Sequence, residues 1–431
     1  MDDGAPYGKA RLVTRKRPRR RVLALCLVAG TVACTAAVPD HSGPPSPAGS
    51  GASEMPRSEA PSSSATPESS VAEPERAGPE GVLGQQIEIG TIDPAHAPHL
   101  TSFASDGASI WFASGLADGR PGTYAPDLWR YVPGADAPEL VWSNPGRQRS
   151  ISVIAADLGA VAFGEMAGSG ERDWNLWLLP DPSAEPVLLD SHPGDDDVSG
   201  LLPSVSVSED RVAWTAFDRG PAGPVSELLV ATAPDWTPVV LEQRDAAVGE
   251  LWLPSLRGTE LVYCELTYNA ERTRDERHVY LTDTVVRAEP RQLDTSGRAT
   301  MPLLVDGGVI WKETDPGFNM FNWGHLVYWD RSTGRELSMS SGMQPDVNYP
   351  SAGTRFVAVF GYDTALLPVY DLEDDRWRLI ERYDVAAGEG VYRAHVAGDL
   401  LVWLETNADT GESGELRWAY LPLAGNKQLG S

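Results

Sequence analysis

Cysteine and positive charge are both scarce in this 431-residue sequence. The three cysteines are Cys26, Cys34 and Cys264, and the first lies inside the leader described below, so no disulfide framework is available. Stability must therefore come from packing, and we expect Cys264, in an apolar run, to be a buried free thiol. Lysine and arginine number 35 against 61 aspartates and glutamates, a net charge of −26. Such a surface repels anions, which excludes a nucleic acid held by general electrostatics.

Motifs of common active sites are missing as well. The seven histidines show no metal-ligand spacing, no Gly-rich phosphate loop is present, and no base is placed for a serine nucleophile. The acidic runs Asp195–Asp197 and Asp371–Asp375 lack the spacing of a calcium loop and predict solvated turns. We therefore expect no metal and no cofactor.

Residues 1–34 have the pattern of a secretory signal. The basic stretch Arg15–Arg21 precedes the apolar run Val22–Ala29, and the segment Thr31–Cys34 resembles the bacterial lipobox, with Thr31 where that family usually has Leu or Val. The resemblance implies a lipid on Cys34 and a bacterial envelope protein outside the cytoplasm, lipid-anchored to the membrane. The alternative is an uncleaved anchor formed by Val22–Val38.

A second segment, residues 35–82, is rich in Ser, Pro, Ala, Gly and Glu and has almost no large apolar side chains. It cannot bury enough apolar surface to offset the entropy of ordering, so it predicts a disordered tether. The folded region is then residues 83–431. Its many turn formers, with 42 Gly and 35 Pro in the whole chain, favour an all-β structure.

One pattern recurs seven times in residues 83–431, with a period of about 49 residues. A polar turn such as Asp306-Gly307 is followed by an apolar strand, a loop and two further strands. Asp, Asn and Gly tolerate the positive φ of tight hairpins. At the centre of the strand after each turn stands one residue, aromatic in six units of seven: Trp111, Phe163, Trp214, Tyr263, Trp311, Val359 and Trp403. Four strand-like pieces per unit predict a seven-bladed β-propeller of four-stranded antiparallel blades.

The units are similar to the repeat of TolB-type β-propellers. Pro302–Trp311, with its opening proline and Asp-Gly turn, and Leu326–Asp330, a strand ending in aspartate, carry this resemblance, which extends over about residues 85–431. It implies the propeller fold. It carries over no activity, because TolB has a leading α/β domain that this chain lacks.

The segment Gln85–Ile89 has the pattern of the fourth strand of a blade, but no third strand precedes it. We expect it to pair into blade 7 and close the ring, because an open ring would leave strand edges unpaired. A fourth strand is also predicted near the C-terminus, at Lys427–Leu429.

Strand order places the Asp-Gly turns at one face of the ring and the longer second-to-third-strand loops at the other. Long loops on a rigid scaffold are common recognition sites. Aromatic side chains recur in them and predict a partner-binding surface: Tyr124, Trp174, Tyr268, Phe318, Phe321 and Trp323. In the alternative interpretation these side chains fold inward over the central channel.

Four blades carry a glutamate two residues after the repeat residue: Glu165, Glu265, Glu313 and Glu405. Because strand side chains alternate, the four point to the same face of their strands. They are candidate catalytic carboxylates, as in glycan cleavage, or else form ion pairs with residues such as Arg149, Arg298 and Arg393.

The sequence therefore favours a membrane-tethered, monomeric, extracytoplasmic propeller that binds or scaffolds a protein or glycan at its long-loop face. The alternative function is an envelope glycan hydrolase or lyase that uses the four glutamates.

Overall fold

The computed structural model describes residues 87–93, 100–115, 125–144, 149–167, 173–193, 202–269, 275–286, 288–314, 324–339, 349–360, 366–384, 387, 389–406 and 413–422. In this part of the chain the secondary structure is β-strand, arranged as seven four-stranded antiparallel sheets. The predicted fold is confirmed. Within the same residues there is no helix with the length and apolar character that crossing a bilayer requires.

The strands follow one another around the ring in the order of the chain, four to a blade. Blade 1 contains β2 to β5, at Ser102–Ser105, Ile110–Ser114, Asp127–Tyr131 and Glu139–Ser143. Blade 2 contains β6 to β9, at Arg149–Asp157, Ala160–Ala167, Asp173–Leu179 and Val187–Pro193. Blade 3 contains β10 to β13, at Val205–Ser208, Arg211–Arg219, Pro224–Thr232 and Val239–Asp245. Blade 4 contains β14 to β17, at Gly249–Arg257, Glu260–Tyr268, Asp275–Asp283 and Arg291–Gln292.

The remaining three blades repeat this plan, with one exception at the last strand. Blade 5 contains β18 to β21, at Ala299–Val305, Gly308–Thr314, Gly324–Asp330 and Arg335–Ser338. Blade 6 contains β22 to β25, at Tyr349–Ala352, Phe356–Phe360, Leu366–Asp371 and Arg376–Arg382. Blade 7 contains β26 to β28, at Val391–Ala397, Leu400–Thr406 and Ser413–Tyr420, and its fourth strand is β1, at Ile89–Ile92.

The N-terminal strand closes the ring, as predicted. Strand β1 pairs antiparallel with β28, with Ile89 opposite Ala419 and Ile92 opposite Leu416. Ile92 is 1 % exposed and packs in the apolar cluster between blades 7 and 1. The strand predicted at Lys427–Leu429 lies outside the described residues, and the fourth position in blade 7 belongs to β1.

The first strand of every blade contacts the first strands of both neighbours, and β2 of blade 1 contacts β26 of blade 7. First strands therefore line the axis and fourth strands form the outer rim. The turns between first and second strands are tight, and Gly107 and Gly307 hold φ values of 88° and 81° that a residue with a Cβ rarely adopts.

The core is divided among the seven interfaces between adjacent blades, which we call seams and number by their blades. Each seam contains its own apolar cluster. The repeat residue of the second strand is buried in every blade, at 0 to 4 % exposure. Burial of a large apolar side chain stabilises the fold by about 1.5–3 kcal/mol, so the repeated residue is the main sequence signal of the seams.

Candidate functional site

The four predicted glutamates all lie near the end of a second strand, at the face that carries the second-to-third-strand loops. We call this the long-loop face and the opposite one the hairpin face. Glu165 lies on β7, Glu265 on β15, Glu313 on β19 and Glu405 on β27. Their side chains are 4 to 19 % exposed. Carboxylates buried to this degree need partners, and each has them.

Glu265 is held across seam 3/4 by an arginine of the preceding blade. Arg244, near the end of β13, donates from Nε to Oε1 at 2.8 Å and from Nη2 to Oε2 at 3.1 Å. This two-point geometry is the strongest that a carboxylate and a guanidinium form. The hydrogen bonds to Glu265 raise the pKa of the Arg244 guanidinium above its ordinary value.

Glu165 bridges seam 1/2 through amide groups. Asn144, which follows β5 of blade 1, donates to Oε2 at 2.7 Å, and Asn175 on β8 donates to Oε1 at the same distance. Arg149 lies 4.0 Å from Oε1.

Glu405 belongs to a larger polar network in seam 6/7. Tyr383 donates to Glu405 Oε1 at 3.0 Å and lies 2.7 Å from Oε2 of Glu381. Arg417 Nη1 donates to both glutamates, at 2.6 Å to Glu405 and 2.8 Å to Glu381. The Tyr383 hydroxyl also accepts a hydrogen bond from Trp403 Nε1 at 2.8 Å. Burial and the two carboxylates raise the pKa of Tyr383 above its ordinary value.

Glu313 is the one member of the set whose contacts lie within its own blade. Arg298, just before β18, donates to Oε1 at 3.0 Å, and His325 Nε2 lies 3.5 Å from Oε2. The predicted partners Arg149 and Arg298 are therefore ion-paired with the glutamates. Arg393 lies 5.4 Å from the ring centroid of Phe103, and among the described ion pairs the arginine that binds Glu405 is Arg417, which the sequence analysis missed.

The aromatic residues predicted to bind a partner are described only in part. Tyr124, Phe318, Phe321 and Trp323 lie outside the described residues and stay predictions. Trp174 is described and is 1 % exposed, packed in seam 2/3. Tyr268 is half-buried and donates to Glu250 Oε1 at 2.9 Å. Of these two side chains, neither is displayed openly at the surface.

A set of acids that the sequence analysis did not single out lies at the same face, in seam 2/3. Asp190 on β9 accepts a hydrogen bond from Trp214 Nε1 at 2.9 Å, and Asp218 on blade 3 acts on it electrostatically. Glu227, also on blade 3, is in turn affected by Asp218 and Asp190. Burial, with a further contribution from Asp218, raises the pKa of Asp190. Burial and the same neighbour also raise the pKa of Glu227. Asp190 belongs to one repeat and the other two acids to the next, so the sequence carries no local motif for the group.

Other reactive side chains in the described residues have structural roles. Cys264 is buried and free, and burial raises the pKa of its thiol to about 12, as expected of an inert cysteine. The run Asp371–Asp375 is not simply a solvated turn, because Asp371 is 0 % exposed and binds Arg355 and Arg378. Asp195–Asp197 lie outside the described residues. Within the described part, no group of three His, Cys, Asp or Glu side chains is arranged to hold a metal ion.

No family model and no curated protein matches the sequence. Solved structures do match. The β-propeller domain of the Trilobed protease from Pyrococcus furiosus, described as having an open velcro topology, is 10 % identical with a TM-score of 0.53, over 77 % of this chain and 98 % of that domain. This chain is a seven-bladed β-propeller. Unlike that domain, its ring is closed by pairing of β1 with β28.

Two further solved structures bear on the predicted resemblance and on the alternative function. An oligogalacturonate lyase in complex with manganese is 13 % identical with a TM-score of 0.51, over 78 % of this chain and 91 % of that one. TolB from Acinetobacter baumannii is 10 % identical with a TM-score of 0.38, over 74 % of this chain and 78 % of that one. At these identities the likenesses show the fold alone, and at its TM-score the TolB match carries no argument. The fold implied by the TolB-type repeat is the one observed.

Proposed function

We propose that this protein is a binding or scaffold propeller that holds a protein or glycan partner at its long-loop face. The contrast between the two faces carries the proposal. The connections between second and third strands, on the long-loop face, range from the four residues between Arg219 and Pro224 to the twelve between Ser114 and Asp127, whereas the turns between first and second strands on the hairpin face have two to four residues. A ring stiffened by seven apolar seams thus displays connections that differ from blade to blade, which is the usual design of a recognition surface.

The location is part of the same proposal. A lipid on Cys34 and the tether at residues 35–82 would hold the propeller at the outer side of a bacterial membrane. The chain enters the ring through β1, so the tether is connected to the outer strand of blade 7. Mass spectrometry of the mature N-terminus tests the anchor: a diacylated Cys34 is expected, and an unprocessed leader contradicts it.

Site-specific photo-crosslinking in the native envelope tests the binding role. The probe replaces Ala222, exposed in the loop between β11 and β12, and in the matched control it replaces Leu158, 72 % exposed in a hairpin-face turn. We expect one discrete adduct from position 222 and none from position 158. Equal labelling at both positions, or none at either, would contradict recognition through the long-loop face.

Cleavage of an envelope glycan by the four glutamates is the less supported function. Each carboxylate is engaged by an arginine, an amide or a tyrosine in the resting structure, as expected of side chains that fasten strands and blades. Incubation of the parent protein and of Glu265→Gln and Glu313→Gln variants with a panel of envelope and plant glycans is the test. If the parent cleaves a glycan and either variant does not, the result would favour an enzyme over a binding protein.

A further inference from the structure

Two aromatic side chains of blade 4 are held by one carboxylate at the long-loop face. Glu250, near the start of β14, accepts a hydrogen bond from Trp252 Nε1 at 2.8 Å on one oxygen and from the Tyr268 hydroxyl at 2.9 Å on the other. Tyr268 ends β15, and its backbone N–H donates to the carbonyl of Val248 at 2.8 Å. Both rings are therefore fixed in place before any ligand arrives.

These side chains lie on the sheet face of blade 4 that is turned toward blade 5. Trp252 is opposite Cys264, whose thiol donates to the carbonyl of Ala299 in blade 5 at 3.5 Å. Side chains alternate along a strand, so Glu250 and Tyr268 share this face. The group therefore borders seam 4/5, whereas the predicted glutamate of blade 4 lies in seam 3/4.

The repeat does not require this group of side chains. In blade 5 the first-strand positions that correspond to Glu250 and Trp252 hold Arg298 and Thr300. The packing of a blade on its neighbour therefore does not demand a carboxylate and an indole at this place. The arrangement is an addition of blade 4 to the plan that the two blades share.

The group reaches the surface of the protein. Glu250, Trp252 and Tyr268 are half-buried, and Val248, in the turn before β14, is 60 % exposed. Aromatic and aliphatic surface beside a carboxylate offers apolar contact area together with hydrogen-bond acceptors. An ionised carboxylate accepts about four hydrogen bonds, and each oxygen of Glu250 receives one from this chain, so each can accept another.

The charges of seam 4/5 favour a neutral ligand. Arg298 and Arg277 bring two cations to this seam: the first is bonded to Glu313 at 3.0 Å, and the second is buried and donates to a hydroxyl of blade 5. Burial, and then the charge of Arg277, lower the pKa of Lys312 to about 7. A cationic ligand would thus meet other cations beside Glu250, and an anionic ligand would meet the acidic surface of the whole protein.

We infer that Glu250, Trp252 and Tyr268 form a binding subsite for a neutral sugar ring. This inference rests on the proposed function and chooses a glycan over a protein as the partner. A sugar ring has an apolar face of C–H groups that can pack on the aromatic rings, and it has adjacent hydroxyl groups that can donate to the two oxygens of Glu250. Because Glu250 already fixes both rings, little side-chain entropy is lost when the sugar binds.

Calorimetric titration of the full chain tests the inference, with chitotetraose, cellotetraose, maltotetraose and mannotetraose as the probes. The parent is expected to bind at least one of these neutral sugars. Trp252→Ala, which removes the indole, should weaken that binding about tenfold or more. Glu250→Gln, which replaces one acceptor oxygen by a donor, should weaken it about threefold or more, and it serves as the test if Trp252→Ala does not fold.

The matched control is Trp236→Ala, which removes a half-buried indole from the hairpin-face turn between β12 and β13 and should bind the sugar like the parent. Failure of all four sugars to bind overturns the inference, as does equal binding by the parent and both subsite variants. If no sugar binds but position 222 forms an adduct with a protein, the inference fails and the proposed function stands. If no sugar binds and position 222 forms no adduct, both fail.

Discussion

Gly90 of β1 lies directly against the indole ring of Trp418 on β28, the strand with which it pairs. A Cβ at residue 90 would lie 2.2 Å from Trp418 Cε2 and Cζ2, a distance that real Cβ atoms do not reach. Glycine is therefore required at the point where β1 pairs with β28 of blade 7.

Gly90→Val should open this closure. The added side chain cannot share the space of the indole, so the pairing of β1 with β28 is strained and the protein loses about 1–3 kcal/mol of stability. Thermal unfolding followed by circular dichroism measures the loss, and Thr91→Val, at the exposed neighbouring position, is the control. Deletion of residues 83–93 should lower the midpoint further. A deletion variant that melts like the parent would show that β1 does not hold the ring.

Arg244→Met should destabilise the protein by about 3 kcal/mol, because it leaves Glu265 buried without its cation. Arg331→Met is the matched control, since Arg331 pairs with Glu260 at the surface, where both side chains are more than a third exposed. The control should cost under about 1 kcal/mol. Urea denaturation measures the loss of stability in both variants. Similar losses in the two would mean that the stability of seam 3/4 does not depend on the pair of Arg244 with Glu265.

Asp371→Asn should cost about 2–4 kcal/mol. Burial alone would raise the pKa of Asp371, but hydrogen bonds from Arg355 and Arg378 outweigh it and hold the pKa below its ordinary value. The stabilisation is therefore complete above the unfolded pKa of about 4 and is lost as pH falls below it. Glu373→Gln, which changes a residue with 61 % side-chain exposure that also binds Arg355, should cost much less. The prediction fails if the two variants unfold at the same denaturant concentration.

His395 should make the protein less stable in mild acid. Burial lowers the pKa of His395 to about 4, and its Nδ1 accepts the Ser105 N–H across seam 7/1. Between pH 4 and its ordinary pKa of about 6.5 the unfolded chain takes up a proton that the folded protein refuses, so stability falls as pH falls through this range. His395→Asn keeps an acceptor and removes the titration. Carboxylates with a raised pKa, such as Asp190, make the protein more stable as the pH falls. The quantity to measure is therefore the difference in unfolding free energy between the His395→Asn variant and the parent at each pH. A difference that stays constant from pH 7 to pH 4.5 would contradict this assignment.

Cys264 should react with thiol reagents only when the protein unfolds. Its thiol is buried, and burial raises its pKa to about 12, so the reactive thiolate is almost absent in the folded state. Iodoacetamide labelling followed by peptide mapping should show no modified Cys264 in buffer and complete modification in concentrated urea. Rapid labelling of this peptide in buffer would place the thiol at the surface.

The repeat could be predicted from the sequence because the same physical requirements apply in every blade. Each second strand must bury a large side chain in its seam, and each first turn must reverse the chain, so Trp111 and Trp311 with their turns stand at the same place in their units. Closure of the ring by β1 could also be predicted, because a strand that precedes the first blade must pair with another blade. In the described residues the pairing runs from Ile89 to Ile92, later than the predicted segment Gln85–Ile89, of which Gln85 and Gln86 lie outside the described part.

The ion-pair partners of the predicted glutamates could be predicted from the sequence only in part. Arg149 and Arg298, at the first strands of their blades, were predicted as partners, whereas Arg417, on the third strand and closer in sequence to its glutamate, was missed. Arg244 could not be found from sequence spacing, because it reaches Glu265 across a seam. Trp174, expected at the surface, is buried because the neighbouring blade covers the sheet face on which it lies.

The amino-acid sequence alone determined how many blades there are, which residues fill the seams and which strand closes the ring, because these depend on local periodicity and on the rule that strand edges must be paired. Only the tertiary structure decided which charges meet across the seams. Arg244 and Glu265 stand in two different repeats and meet only when blade 3 packs on blade 4, so their ion pair is a property of the folded seam.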